Sequence, residues 1–447
     1  MEILYAHSQH KTRTMKQSPG GEPLRPAVIV PRQYLFPFIL LTSLFALWGV
    51  ANNMTDVLLA TFKRIMSMSD FQTAWIQVAF YGSYFCLALP AAMFIRRYTY
   101  KAGVLLGLGL FAAGALLFYP ASLTMVYGHF LIALFILAGG LSILETSANP
   151  YAIVMGPEQT ATRRLNLAQS FNPLGSITGV LIGKFFILSE LNQATEAERA
   201  QMAVEQLRQV QQGELAAVMG PYVVVALVIG VIWVLIAVTR FPQATETDKS
   251  LRLGATIRRL FRQKHYTRGV VAQFFYVGAQ IGVWSFTIRY IMSNLDLNEA
   301  SASTYYLASI ILFSTARFVC TGLMKYVGPH VLLWVMAALA SGLSGVVILV
   351  GGYAGAIALV GISGCMSLMF PTIYGLAIKG LGEDTKIGAS GLIMAILGGA
   401  VLTAIQGQIS DMFGIHIAYL VPLVCFLVIL HYGLTGYRAG MPAPVRA

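Results

Sequence analysis

Two carboxyls stand where hydrocarbon or tightly packed protein is expected. Asp56 closes the polar cluster WGVANNMTD, Trp48 to Asp56, inside an apolar segment that runs from Leu35 to Trp48 and resumes at Val57 to Ala60. Glu145 lies as deep in SILETSANPY. An ionised carboxyl at that depth is costly unless it is protonated, paired or open to water, so each is a candidate for taking up and releasing a proton. The alternative is a structural carboxyl that bonds its neighbours and never titrates. No cation in the same half stands at matching depth, because Arg163, Arg164 and Lys184 fall toward segment ends. The deepest cation is Arg317 in ARFVCTG, whose place near a turn favours helix packing.

Amides form a second group. In NLAQSFNPLGS, Gln169 and Asn172 are three residues apart, hence on one helix face, with Asn166 a further turn back. Amides offer donors and acceptors at fixed geometry, which suits a polyhydroxylated ligand, but they also glue membrane helices together. The same two readings apply to Asn52, Asn53 and Asn149. A third group is AQFFYVGAQIGVWSFTIRY, in which Gln273, Tyr276, Gln280 and Trp284 step by three or four residues as one polar and aromatic stripe. Rings take the C–H faces of a sugar and amides its hydroxyl edges, so the stripe fits a sugar wall or a helix contact equally well. Trp48, a little over two turns before Asp56, offers a ring on the opposite side.

Other residue types carry less. Asp411 lies toward the end of its segment, where a capping or interfacial role is expected. The histidines His129, His265, His330, His416 and His431 show no metal-ligand spacing, so no metal is expected. Cys86, Cys320, Cys365 and Cys425 are isolated in apolar segments and read as small core hydrophobes. No phosphate-binding glycine loop follows a strand, so neither ATP drive nor any other cofactor is expected, and no nucleophile–base pair marks an enzyme.

The elements that must position these groups are membrane helices. The chain has 447 residues, 57% hydrophobic and only 11% charged. Soluble domains carry about 25% charged residues, and apolar windows of about 20 residues recur here from end to end. The sequence predicts an all-α polytopic protein in the lipid bilayer with twelve transmembrane helices. The first six are about 34–60, 71–96, 102–120, 124–155, 165–190 and 220–240; the second six are about 268–292, 301–325, 330–350, 353–379, 386–410 and 415–436. The domains follow: an N-terminal tail 1–33, a six-helix half 34–240, a basic linker 241–267, a second half 268–436 and a tail 437–447.

The net charge of +12 sits mostly in alternate loops, which argues for membrane topology and against nucleic acid. The loop from Glu190 to Gly220 holds five glutamates against Arg199 and Arg208, whereas Arg240 to Arg268 holds eight cations against Glu246 and Asp248. The first loop is therefore expected outside and the second inside, with both termini cytoplasmic. Arg96, Arg97, Lys101, Arg163, Arg164, Lys379 and Lys386 agree; Lys63 and Arg64 run against the rule. The first 32 residues are polar, basic and interrupted by Pro19, Pro23, Pro26 and Pro31, and they lack the apolar run of a signal peptide.

The basic connection falls mid-chain, and a weak repeat flanks it. Pro150 is followed by Gly156, Glu158, Thr162 and Arg163; Pro371 is followed by Gly382, Glu383, Thr385 and Lys386. Two parallel six-helix halves are the architecture of the major facilitator fold, with a substrate site between them. The motifs WGVANNMTDVLL, IQVAFYGSYF, YTYKAGVLLGL, LETSANPYAIVMGPE, RLNLAQSFNPLGS, AQFFYVGAQIGVWSFTIRY and FPTIYGLAIKGLG together resemble the fucose–galactose–glucose:proton symporters, from Tyr34 to Gly433.

That resemblance implies a proton-coupled sugar symporter of the bacterial inner membrane, working by alternating access; a monomer is the expected working unit. It implies proton coupling at Asp56 and Glu145, and contacts from Asn53, Gln169 and Asn172 to sugar hydroxyls. L-Fucose is the expected cargo, with glucose, galactose or N-acetylglucosamine as the alternative. Two positions depart from the family pattern: Pro173, where a small polar residue is usual, and Tyr374, in place of phenylalanine. Rival classes are a membrane sensor, a membrane-embedded enzyme and a passive facilitator. The last leaves the two buried acids without a use.

Overall fold

A computed structural model describes residues 28–65, 70–187, 198–199, 201–242 and 253–439; side chains at 52, 55–64, 70–74, 77, 184, 217–218 and 299–300 lie outside the described set. The described chain is almost entirely helical. Long apolar runs with no interior water leave each backbone N–H and C=O to bond within its own segment, and the helix alone does that in an open chain. Leu116, Val224, Leu227, Val231 and Leu349 stand exposed on the outer surface, where acyl chains rather than water would meet them.

The first half is built from α1 (Leu35–Ile65), α2 (Asp70–Arg97), α3 (Tyr100–Thr124), α4 (Tyr127–Val154), α5 (Ala161–Gln169), α6 (Asn172–Ile182) and α7 (Val204–Val238). A short linker helix, α8 (Leu253–Arg262), follows. The second half holds α9 (Lys264–Leu295), α10 (Glu299–Leu323), α11 (Pro329–Leu349), α12 (Gly352–Met366), α13 (Met369–Ala377), α14 (Thr385–Met394), α15 (Gly398–Phe413), α16 (Ile415–Ala418) and α17 (Leu420–Leu434). Packing repeats between the halves. In the first, α1 meets α6, α2 and α3 each meet α4, and α3 meets α7; in the second, α9 meets α15, α10 and α11 each meet α12, and α11 meets α17. The sequence repeat also has a structural counterpart, since a 3-10 turn at Glu158–Thr160 leads into α5 and another at Gly382–Asp384 leads into α14.

Eleven described helices or paired helices are long and apolar enough to cross a membrane. The fifth of the twelve expected spans is the exception: Arg163, Arg164, Asn166, Gln169 and Asn172 make it more polar, and it breaks between Gln169 and Asn172 and ends in a π turn at Gly183–Ile187. Pro173 explains the break, since proline has no N–H to give to Gln169 O four residues back and its ring crowds that carbonyl. The tenth span breaks likewise at 367–368, and the eleventh passes through a 3-10 turn at Ala395–Leu397. The sixth span differs in the other direction. It begins at Val204 rather than near 220, because Glu205, Gln206, Arg208 and Gln209 are good helix formers and need no hydrocarbon. Glu214 of this extension pairs with Arg199, and both are buried. Cys86 is exposed rather than in the core, while Cys320, Cys365 and Cys425 are buried.

Glycine sets the closest helix contacts. A Cβ on Gly175 of α6 would lie 1.8 Å from the Ala46 carbonyl oxygen of α1, and one on Gly398 of α15 would lie 2.0 Å from the Phe274 carbonyl oxygen of α9. The same close approach thus occurs at equivalent places in the two halves. The halves themselves meet mainly at the end that carries the basic connection, through α2 and α4 against α14 and α5 against α13.

Candidate functional site

A cavity of about 220 Å³ lies between the halves, beyond the seam where they meet. Its volume is below the roughly 300–1,000 Å³ of drug-sized pockets and suits a smaller solute. The first half supplies most of the polar groups. Asn53 reaches it from α1, Glu145 from α4, Gln169 from the end of α5, and Asn172 and Ser176 from α6. The helix break therefore has a use: it ends α5 at Gln169 and restarts the chain at Asn172, with both amides on the wall. They do not share a face of one continuous helix, as the spacing alone predicts. The second half supplies Gln280 and Trp284 from α9 and Phe313 and Arg317 from α10.

Glu145 is 1% exposed and its Oε2 has no hydrogen-bond partner among the described residues. The Tyr84 hydroxyl of α2 stands beside the carboxyl. One turn along α4, Asn149 donates to the Glu145 backbone oxygen at 3.0 Å, and its own side-chain oxygen accepts from Gln169 Nε2 at 2.7 Å. Gln169 is thereby fixed with its other amide atom left for the cavity. Asn53 donates to Gly49 O at 3.2 Å and Asn172 to Phe45 O at 3.2 Å, so each keeps its side-chain oxygen available as an acceptor.

Rings complete the walls. Trp284 is oriented by a 3.2 Å bond from Nε1 to Ser363 Oγ and by an edge contact with Phe313, centroids 5.0 Å apart. Trp48 lines the opposite side, tilted against Phe45. Such walls take the apolar faces of a ring-shaped solute, while the amides and the carboxyl take its hydroxyls.

The remaining expected site residues are placed differently. Tyr276 is fully buried behind the wall, donating to Met366 O at 3.1 Å and packing edge-on against Phe370, which does line the cavity. Gln273 is also fully buried, away from the cavity, and both its amide atoms lack partners among the described residues. Asp56 and Asn52 lie on α1 with side chains outside the described residues. Asp411 is exposed at the end of the eleventh span, as its position suggests. Among the described residues, no group of three or more His, Cys, Asp or Glu is placed to hold a metal ion.

Arg317 does more than pack helices. It lines the cavity, donates from Nη1 to Gln169 O across the seam at 3.0 Å and from Nε to Ser367 O, and lies over the Phe313 ring. Next to it, Arg163 Nε donates to Thr321 O at 3.1 Å and Asn166 Nδ2 to Thr372 Oγ1 at 3.2 Å, each from the first half to the second. These bonds form the floor that closes the cavity toward the basic end.

The sequence profile of the Major Facilitator Superfamily matches residues 39–404. The chain belongs to this superfamily. Within it, the chain is 39% identical over 426 residues to an L-fucose–proton symporter of Haemophilus influenzae, covering 92% of this chain and 99% of that one. It is 33% identical over 429 residues to a glucose/galactose transporter of Brucella abortus, covering 94% and 99%. Among solved structures of the superfamily, the transporter FucP in its outward conformation superposes with a TM-score of 0.86 at 40% identity, covering 90% of this chain and 99% of that one. These relatives are transporters, and this major facilitator chain is a multi-pass membrane transporter rather than an enzyme.

Several residues of this superfamily site escape a reading by polarity alone. Tyr81, Tyr84, Tyr306 and Phe370 line the cavity, yet tyrosine and phenylalanine are common throughout these helices. Arg317 was visible as the deepest cation, but its bond to Gln169 O depends on the helix break that frees that carbonyl.

Proposed function

We propose that this chain imports L-fucose together with protons by alternating access, with the cavity between the halves as the sugar site. The observation that carries the reading is the Glu145 carboxyl. It is buried at the cavity wall with an oxygen unpartnered among the described residues, amid amides and rings suited to a hexose. The likeness to an L-fucose–proton symporter supports this cargo over a glucose or galactose cargo, which belongs to the less similar relative.

In this reading Glu145 and Asp56 accept protons, and Asn53, Gln169, Asn172 and Gln280 bond sugar hydroxyls. Asn52 adds a further amide on α1, Trp48 and Trp284 stack on the sugar, and Tyr276 supports the wall through Phe370. Protonation neutralises the carboxyls and lets the filled carrier rock without moving a bare charge into a dry seam. The floor of hydrogen bonds at the basic end must then part, releasing sugar and proton, before the empty carrier returns. A membrane potential adds roughly 2.3 kcal/mol per proton per 100 mV.

With the basic loops cytoplasmic, as the charge bias supports, both tails (1–33 and 437–447) and the linker 241–267 face the cytoplasm of a bacterial inner membrane. The cavity is then closed inward, which fits the likeness to FucP in its outward conformation. One chain holds a complete cavity, which supports a monomer as the working unit.

The test is uptake of labelled L-fucose into vesicles under an imposed inward proton gradient. Wild type accumulates the sugar, and Asp56→Asn and Glu145→Gln each lose accumulation. Uphill uptake that persists in both variants, or after an uncoupler, overturns the coupling; indifference to fucose with accumulation of glucose or galactose overturns the cargo.

A further inference from the structure

A second cavity, an apolar groove of about 570 Å³, opens between the halves beside the seam at the basic end. Phe85 and Leu89 of α2 form one wall, Val271 and Phe274 of α9 with Met394 of α14 form the other, and Phe261 of α8 covers its end. The lining is almost wholly carbon. It runs along α9 over residues 266–275, about 15 Å of helix, which is one leaflet of a hydrocarbon core about 30 Å thick. The groove therefore spans the depth of one acyl chain.

Arginines flank the lining residues. On α8, Arg258 stands three residues before the lining Phe261 and four before Arg262, and all three are exposed, with Phe261 at 71%. On α9, exposed Arg268 stands one turn before Val271, itself 45% exposed. Arg259, between the other two arginines, is instead occupied by Asp384 at 2.7 and 2.9 Å, and this pair anchors α8 to the second half. Arg96 of α2 reaches α8 through Thr256 at 3.2 Å, which ties the same helix to the first half. Guanidinium groups at the polar edge of an apolar slot match the charge order of an anionic phospholipid, phosphate outward and acyl chain inward.

We propose that this groove holds one acyl chain of an anionic phospholipid, with the phosphate on Arg258, Arg262 and Arg268. Its walls belong to opposite halves, and α2 packs on α14 beside it. A lipid seated there bridges the halves and favours the state closed at the basic end. The proposal does not depend on which sugar is carried.

The experiment is native mass spectrometry of the full-length purified chain released from mixed phosphatidylglycerol and phosphatidylcholine micelles. Wild type retains phosphatidylglycerol over phosphatidylcholine by about tenfold or more, given three cations near one phosphate. The triple variant Arg258→Gln, Arg262→Gln, Arg268→Gln reduces that preference to within about twofold. Val271→Trp, which sets an indole across the mouth, loses the retained lipid, whereas Val319→Trp, 56% exposed on α10 away from the groove, keeps it. Each variant is checked for folding by monodisperse elution. Equal retention of the two lipids by wild type, or an unchanged preference in the triple variant, overturns the headgroup assignment. Retention by Val271→Trp overturns the groove, and a lipid-independent dimer that Val271→Trp splits assigns the groove to a second copy instead.

Discussion

Replacing Gly175 by alanine tests how the cavity is built, because the effect follows from one distance. The added methyl carbon would sit 1.8 Å from Ala46 O, whereas ordinary contact begins near 3.4 Å, so α1 and α6 must part by roughly 1.6 Å. The obstacle is backbone, which cannot rotate aside as a side chain would. A Cβ on Gly49 of α1 would likewise lie 2.0 Å from Asn172 O, so the helices are held close from both sides. These helices carry Trp48 and Asn53 on one side and Asn172 and Ser176 on the other. Parting them splits the polar wall that a sugar must touch at once. Overpacking of this kind costs about 1–3 kcal/mol, and a misplacement of about 1 Å in a positioned site costs up to about a hundredfold in rate.

The expected outcome for Gly175→Ala is a purified, inserted carrier with a lowered unfolding temperature and at least about a tenfold slower uptake. Gly398→Ala, whose methyl would meet Phe274 O at 2.0 Å, behaves alike in the second half, while Gly230→Ala, with nothing within 4 Å, changes neither quantity. The assay is uptake into proteoliposomes beside a thermal unfolding curve of the same preparation. Wild-type rate and unfolding temperature in Gly175→Ala refute the close-packed crossing and the argument built on it.

Two further outcomes follow from the cavity walls. Trp284→Ala removes a ring held in place by Ser363 and Phe313, and is expected to raise the sugar concentration for half-maximal uptake about tenfold, about 1.4 kcal/mol, with maximal rate little changed; an unchanged value removes Trp284 from the sugar wall. Arg317→Gln removes the cation that bonds Gln169 O across the seam. With about 1.5–3 kcal/mol for a charged hydrogen bond, it is expected to expose Thr321→Cys, in a variant lacking the native cysteines, to thiol reagents about ten- to a hundredfold more from the basic end. Unchanged labelling refutes the latch.

What the sequence reveals here depends on whether depth or direction is asked. Depth is legible: Glu145 stands out because hydrocarbon segments rarely keep an acid, and it does lie on the cavity wall. Direction is harder. Gln273, Tyr276, Gln280 and Trp284 look like one stripe, yet at 3.6 residues per turn each step of four advances about 40°, so Tyr276 ends about 80° away from Trp284. That turns its hydroxyl to Met366 O instead of the cavity. Gln273 points within about 20° of Trp284 but sits eleven residues, about 16 Å, further along the helix and past the cavity floor. Adjacent cations are harder still. Arg163 and Arg164 read alike in the sequence, but the first crosses the seam to Thr321 O. The second is fully buried, donating to Ala152 O at 2.7 Å and Ile29 O at 2.9 Å, and so caps the end of α4. Only the packed neighbours distinguish the pair.

The chemistry of the seam bears on how such a carrier can turn over. The bonds that hold the closed end across the halves include Arg163 to Thr321 O, Asn166 to Thr372 Oγ1 and Arg317 to Gln169 O. In each the acceptor is a neutral oxygen. The described ion pairs lie elsewhere: Arg199–Glu214 is within the first half, and Arg259–Asp384 joins the linker helix to the second. Breaking one partner away from a buried ion pair leaves an uncompensated charge and costs about 3–5 kcal/mol, a barrier that would grow with every pair in the seam. A donor leaving a neutral carbonyl gives up about 0.5–3 kcal/mol and can be rehydrated as the end opens. These three bonds are then worth about 3.5–7.5 kcal/mol together, the same order as the roughly 2.3 kcal/mol that one proton contributes per 100 mV. A seam of that strength closes the cavity firmly enough to hold gradients, yet it lets one protonation and one bound sugar decide which end is open.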